Sequence, residues 1–125
     1  MLEITFFRDG ARRFAGFAAF GHTDFADYGQ DIVCAAVSAI LQAARLGLEH
    51  YAGGDLEAVQ EPGSMRVVIA EGRRDAESVA AIVTTAELAV AQVVRRFPEH
   101  VSLSHEAISE SVGGGASPRV TNLAE

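Results

Sequence analysis

Leu2, Ile4 and Phe6 alternate with Glu3 and Thr5, the period-two pattern of a strand with one buried face. Asp9-Gly10 follows, a dipeptide that supplies the positive φ angles of a tight hairpin turn. The run from Arg12 to Phe20 sets Phe14, Gly16, Ala18 and Phe20 on one face of a second, alanine-rich strand. Residues 21–30 (GHTDFADYGQ) break the alternation and predict a loop, with glycines near both ends and Asp24 and Asp27 between. Asp31 then opens a helix. Val33, Val37, Ile40, Leu41, Ala44 and Leu48 fall at spacings of three and four and make one apolar stripe. Ser38, Gln42, Arg45 and Glu49 make the wet face, and Gly53-Gly54 marks the end.

Leu56 to Gln60 and Met65 to Ala70 read as two more strands joined around Pro62-Gly63. A second helix starts near Asp75, whose carboxylate suits a helix N-terminus. It buries Val79, Ile82, Val83, Ala86, Val90, Val93 and Phe97; Arg95 and Arg96 favour its last turn, and Pro98 forbids continuation. Val101 and Leu103 suggest a short final strand. The order is ββαββα(β). Two hairpins imply a largely antiparallel sheet, and two long amphipathic helices need a sheet face to cover, so the class is α+β. Residues 1–108 are expected to form one domain, and residues 109–125, with Gly113-Gly114-Gly115, a flexible tail.

Composition narrows the chemistry. A chain of 125 residues, 49% of them hydrophobic, fits one domain with a real core. Its ten basic residues are all arginine, which excludes Schiff-base chemistry, Ser–Lys dyads and phosphate-loop ATPases, each of which needs a lysine amine. The net charge of −7 argues against direct nucleic-acid binding and suits a basic protein partner. Met1 to Arg8 reads as a strand rather than a signal peptide. The longest apolar run, Ile32 to Leu41, falls short of the roughly 20 residues of a membrane helix, so a cytoplasmic protein without membrane association is expected. A single cysteine can form neither an internal disulfide nor a cysteine-rich zinc site. No two histidines have helical i, i+4 spacing, and Asp24, Asp27 and Asp31 lack the spacing of a calcium loop. No metal or cofactor is expected.

The informative stretch is Gly21-His22 followed by Tyr28-Gly29-Gln30-Asp31-Ile32-Val33-Cys34-Ala35-Ala36-Val37-Ser38. A histidine ends a strand, a short loop follows, and the cysteine lies early in the next helix. With Asp31 as the cap, Cys34 is the third helical residue, where unpaired N–H groups and the helix dipole favour a thiolate. The short connection can fold His22 back over the helix start, and an imidazole beside a thiol is the minimal machinery of a cysteine hydrolase. Against this, a lone cysteine is more often inert packing, and a lone histidine more often a surface or capping residue. His50, His100 and His105 are read in that way.

The runs G-H-T and Y-G-Q-D-I-V-C-A-A-V-S resemble the signature of the ribosomal-processing cysteine proteases. Gly21, His22, Gly29, Asp31, Val33, Cys34 and Ser38 stand where that family's pattern has them, and the element order over residues 1–107 is similar. Thr23 departs from the small residue more usual there, and the tail has no counterpart. The resemblance implies a homodimeric α+β protein that removes the N-terminal extension of a large-subunit ribosomal protein, after a short apolar stretch ending in aromatic residues. It makes Cys34 the nucleophile and His22 the general base and later acid. Asp31 supports by capping or by orienting His22, Ser38 packs or hydrogen-bonds locally, and backbone N–H groups near Cys34 serve as oxyanion donors. Gly21 and Gly29 bracket a loop that admits the peptide, with Phe25 and Tyr28 holding it. Two rival classes remain open: a ribosome-assembly or binding module that keeps the fold without the dyad, and a thiol redox sensor that needs Cys34 alone.

Overall fold

The computed structural model describes residues 1–21, 28–109 and 119–122, with residues 28–31, 109 and 119–122 described by backbone course. Strands β1 (Leu2–Arg8) and β2 (Phe14–Phe20) precede helix α1 (Tyr28–Ala52). Strands β3 (Leu56–Glu61) and β4 (Ser64–Ile69) precede helix α2 (Glu77–Arg96), and β5 (Val101–Ser109) and β6 (Arg119–Asn122) follow. They form one sheet in the order β3-β4-β2-β1-β5-β6. Every neighbouring pair is antiparallel except β1 and β5, which run parallel with Leu2 opposite Val101. The class is α+β, as expected.

The apolar stripes meet on one face of this sheet. Ile4 and Phe6 of β1, Phe17 of β2, Val67 and Ile69 of β4, Val37, Leu41 and Leu48 of α1, and Val79, Val83 and Val90 of α2 form one core. Burying each such side chain stabilises the fold by about 1.5–3 kcal/mol, so this face dominates the packing. A smaller cluster of Phe7, Ala15, Val68 and Ile108 occupies the opposite face. By length and composition alone both helices are long and apolar enough to cross a membrane, further than the reading of residues 32–41 allowed. In the fold their stripes face the sheet.

Four local features depart from the expected pattern. Strand β2 does not keep strict alternation: Phe7 lies opposite Gly16 and Arg8 opposite Phe14, leaving Ala15 as the extra residue of a bulge. Phe14 therefore joins Phe17 in the helix-side core, while Ala15 points to the small cluster and Phe20 is exposed. Gly16 next to the bulge has φ +152°, and a Cβ there would stand 2.0 Å from the Val67 carbonyl oxygen. The strand pairing is possible only because that atom is missing.

Asp75 does not cap α2. The helix begins at Glu77 with Ala76 as an N-cap that makes no side-chain bond, and Asp75 accepts instead from Arg13 Nη1 at 2.9 Å. Helix α1 starts earlier than expected, at Tyr28, so Gly29 and Asp31 lie inside its first turn rather than before it. Finally, Arg119–Asn122, expected in a loose tail, pair with β5 as an edge strand, Ile108 lying opposite Val120. Four residues of unremarkable pattern after a glycine triplet carried too little periodicity to read as a strand.

The far end of the β1–β2 hairpin is held by charge. Asp9 accepts from the amides of Ala11 (2.9 Å) and Arg13 (3.0 Å) and from Arg13 Nε (3.0 Å). Arg74, whose side chain is almost wholly buried, donates to Asp9 at 3.2 Å and to the Ile69 carbonyl at 2.9 Å.

Candidate active site

At the other end of the sheet, α1 lies across the ends of β2 and β4 and leaves a cleft of about 160 Å³. Cys34, Ser38 and Gln42, four residues apart, run along its helical wall, because residues at i, i+4 and i+8 share a helix face. Leu2, Ala19, Val37, Leu41 and Met65 make an apolar floor. The β3–β4 hairpin closes the far side with Gln60, Glu61, Gly63 and Ser64. Cys34 is half-buried, packing against the core while lining the cleft. Ser38 is exposed on the same wall.

Gly21 follows the last residue of β2 at this cleft. Its φ is +115°, and a Cβ would lie 2.4 Å from the Met1 carbonyl oxygen, so only glycine fits. Its amide donates to the Gly63 carbonyl at 3.0 Å, which fixes the end of β2 against the hairpin turn. Gly21, the residue before His22 in sequence, thus lines the same cleft as Cys34. His22 and Phe25 lie outside the described residues, and of Tyr28, Gly29 and Asp31 only the helical backbone is described. The structure brings together Gly21, Cys34 and Ser38.

Two parts of the electrostatic argument change. Counting from Tyr28, Cys34 is not the third residue of α1 but lies in its second turn. The dipole acts most within the first turn, so it does less for the thiol than a cap at Asp31 would have implied. The unpaired N–H groups of a helix are its first four, here residues 28–31, and the Cys34 amide is not among them. Ser38, Gln42, Gln60, Glu61 and Ser64 are the polar residues among those described that line the cleft. Gln42, Gln60, Glu61 and Met65 were missed by sequence reasoning. Gln42 was visible as i+8 from Cys34, but the hairpin residues reach the site only through the strand order β4-β2.

Of the other histidines, His105 pairs with Glu87 at 2.8 Å and His50 stacks edge-on against Tyr51. Among the described residues no group of three His, Cys, Asp or Glu side chains could hold a metal ion.

A half-buried thiol opens on an apolar-floored cleft, in an α+β sheet with both helices on one face, an arrangement that fits a small thiol hydrolase. The family model described as "Cysteine protease Prp" matches residues 1–102, and the chain belongs to that family of cysteine proteases. No curated protein matches the chain. Among solved structures it is similar to the essential ribosomal processing protease Prp from S. aureus in complex with a substrate peptide. The TM-score is 0.74 at 18% identity, over 84% of this chain and 99% of that one. The same protease with a covalently linked product peptide matches with a TM-score of 0.72 at 18% identity, over the same shares. SMU.848 from Streptococcus mutans matches with a TM-score of 0.70 at 24% identity, over 86% of this chain and 95% of that one. At these identities the likeness is one of fold.

Proposed function

We infer that this cysteine protease is a processing endopeptidase that removes the N-terminal extension of a large-subunit ribosomal protein, using Cys34 and His22. The observation that carries the reading is the shared cleft: Cys34 on α1 and Gly21, the residue before His22, line the same cavity. The S. aureus relative, a ribosomal processing protease solved with a substrate peptide and with a covalently linked product peptide, supports the substrate class and the covalent route.

In this mechanism His22 takes the Cys34 proton and the sulfur attacks the scissile carbonyl carbon, forming a C–S bond. The tetrahedral intermediate collapses with cleavage of the C–N bond, and the imidazolium gives its proton to the leaving amine. Water, deprotonated by His22, then attacks the thioester, and the thiol and the carboxylic acid are released. Asp31, one turn before Cys34, steadies the helix start or orients His22. Ser38 supports the same wall by local hydrogen bonding, and Phe25 and Tyr28 hold the apolar residues of the peptide. The enzyme acts as a homodimer in the cytoplasm, on a basic ribosomal protein rather than on nucleic acid or a membrane.

The test mixes purified protein with the extended ribosomal protein and follows the new N-terminus by mass spectrometry. A single internal cut by the wild type, absent with Cys34→Ala, is the expected result. Full cleavage by Cys34→Ala, or none by the wild type, overturns the reading. Light scattering of a monomer at micromolar concentration would refute the dimer.

A further inference from the structure

One side chain of the β3–β4 hairpin reaches across to α1 where the two walls of the cleft meet. Gln60 lies opposite Met65 in the register, and Leu56 and Ala58, its alternate neighbours on β3, pack against the helix-side core. The Gln60 side chain therefore stands on the sheet face that α1 covers, beside the floor that Met65 makes. There Arg45 Nη1 donates to Gln60 Oε1 at 2.7 Å, while Arg45 Nε donates to Glu49 at 2.8 Å and so holds the guanidinium in place. Arg45 follows Cys34 by 11 residues, close to three helical turns, and continues the wall of Cys34, Ser38 and Gln42. A guanidinium has donors and no acceptor, so the carboxamide turns its oxygen to Arg45 and its amino group away from it. Gln60 is exposed, within reach of a peptide that fills the cleft.

We propose that Gln60 is a specificity-determining residue whose side-chain N–H donates to a main-chain carbonyl of the bound peptide, with Arg45 as the positioning residue that turns it. This rests on the reading of Cys34 as the nucleophile of this cleft. The helical wall from Cys34 to Arg45 rises about 16 Å, and helical side chains slant back toward the N-terminus, which sets the carboxamide roughly 10–16 Å from Cys34 along the wall. An extended peptide advances about 3.3–3.6 Å per residue, so the carbonyl belongs to a residue roughly three to five positions from the scissile bond. A carbonyl is common to every residue. Gln60 thus reads how far the bound segment extends along the cleft, and not which side chain it carries.

The test uses Cys34→Ala protein, which retains the cleft, and peptides built around an aromatic-alanine junction. The peptides are shortened one residue at a time from either end, with fluorescein on the other end, and affinity is read by anisotropy. Gln60→Glu in the same background is the informative variant: its carboxylate still accepts from Arg45, so the link to α1 stays, but it has no N–H to give. High salt screens the charge it adds. Without the substitution at Gln60, one truncation step should weaken binding by about two- to tenfold more than the same step does in Gln60→Glu, the worth of one hydrogen bond. Arg45→Met should shrink that difference as well, since the carboxamide is then free to turn over. No step that sets the two proteins apart, or an equal loss at every step, overturns the proposal, and the full difference in Arg45→Met overturns the part given to Arg45. A merely structural role for Gln60 would weaken all peptides alike and leave the step unchanged. Cleavage of the same peptides by the protein with Cys34 intact judges the nucleophile separately, because the binding ratios do not depend on turnover.

Discussion

Gly21 and Gly63 are joined by a 3.0 Å bond from the amide of the first to the carbonyl of the second, and this contact sets the geometry of the cleft. It ties the exit of β2, one residue before His22, to the hairpin that forms the wall opposite Cys34. Replacing Gly21 disturbs this tie, since an added Cβ meets the backbone of Met1 and Leu2 rather than a movable side chain.

Gly21→Ala is expected to destabilise the fold by about 1–3 kcal/mol through the left-handed φ. The variant that remains folded should cleave peptide roughly 10²-fold more slowly, because small misplacements of reacting groups are costly. Urea unfolding and peptide turnover measured on the same preparation check the two effects separately.

Cys34→Ala should abolish turnover and cost only about 0.5–1.5 kcal/mol, comparable to losing one methyl from a partly buried site. His22→Ala should lower turnover by about 10²–10⁴-fold, the usual worth of general acid–base help. It should also slow alkylation of the Cys34 thiol by iodoacetamide at neutral pH. Unchanged alkylation would separate the histidine from the thiol.

Asp9 controls acid stability at the opposite end of the sheet. Burial opposes its ionisation, but hydrogen bonds from the Arg13 amide and side chain, from Arg74 and from the Ala11 amide together hold the carboxyl below its ordinary value. A carboxyl lowered in the folded state contributes stability that is fully present above its unfolded value and is lost as pH falls through the folded value. Stability should therefore be level from neutral pH down to about 4 and fall in stronger acid. Asp9→Asn should lower stability at neutral pH by about 1.5–3 kcal/mol, because it removes the charge that Arg13 and buried Arg74 both bond, and should flatten the acid limb. Denaturant midpoints from pH 2 to 7 for both proteins decide it.

Truncation after Ser109 removes β6, which covers only the edge of β5. All described residues lining the cleft lie between Leu2 and Met65, so turnover should stay within about twofold. Thermal unfolding should show a loss of about 1–2 kcal/mol as Ile108 becomes exposed.

The parts legible in the sequence were those with strong periodicity. The stripes of α1 and α2 and the alternation of Leu2, Ile4 and Phe6 read directly as the core they form. What escaped depended on partners distant in sequence. Asp75 was read as a cap because its local context suits one, whereas the charge of Arg13, 62 residues away, claims it. The bulge at Ala15 follows from pairing with Arg8 and leaves no mark on the alternation itself. Likewise Cys34 was visible as chemistry, but Glu61 and Met65 join it only through the order of strands.

The parallel pairing of β1 with β5 sets the first strand against the last third of the chain, Leu2 to Arg8 lying alongside Val101 to Ala107. A polypeptide made from its N-terminus exposes that edge of β1 until residue 107 has been added. Leu2 also lines the cleft, and its amide donates to the His100 carbonyl at 3.1 Å. A nascent chain halted before residue 100 thus carries the thiol of Cys34 without the anchored wall that Leu2 supplies, so the hydrolytic site is completed late in synthesis rather than when its reactive residue first emerges.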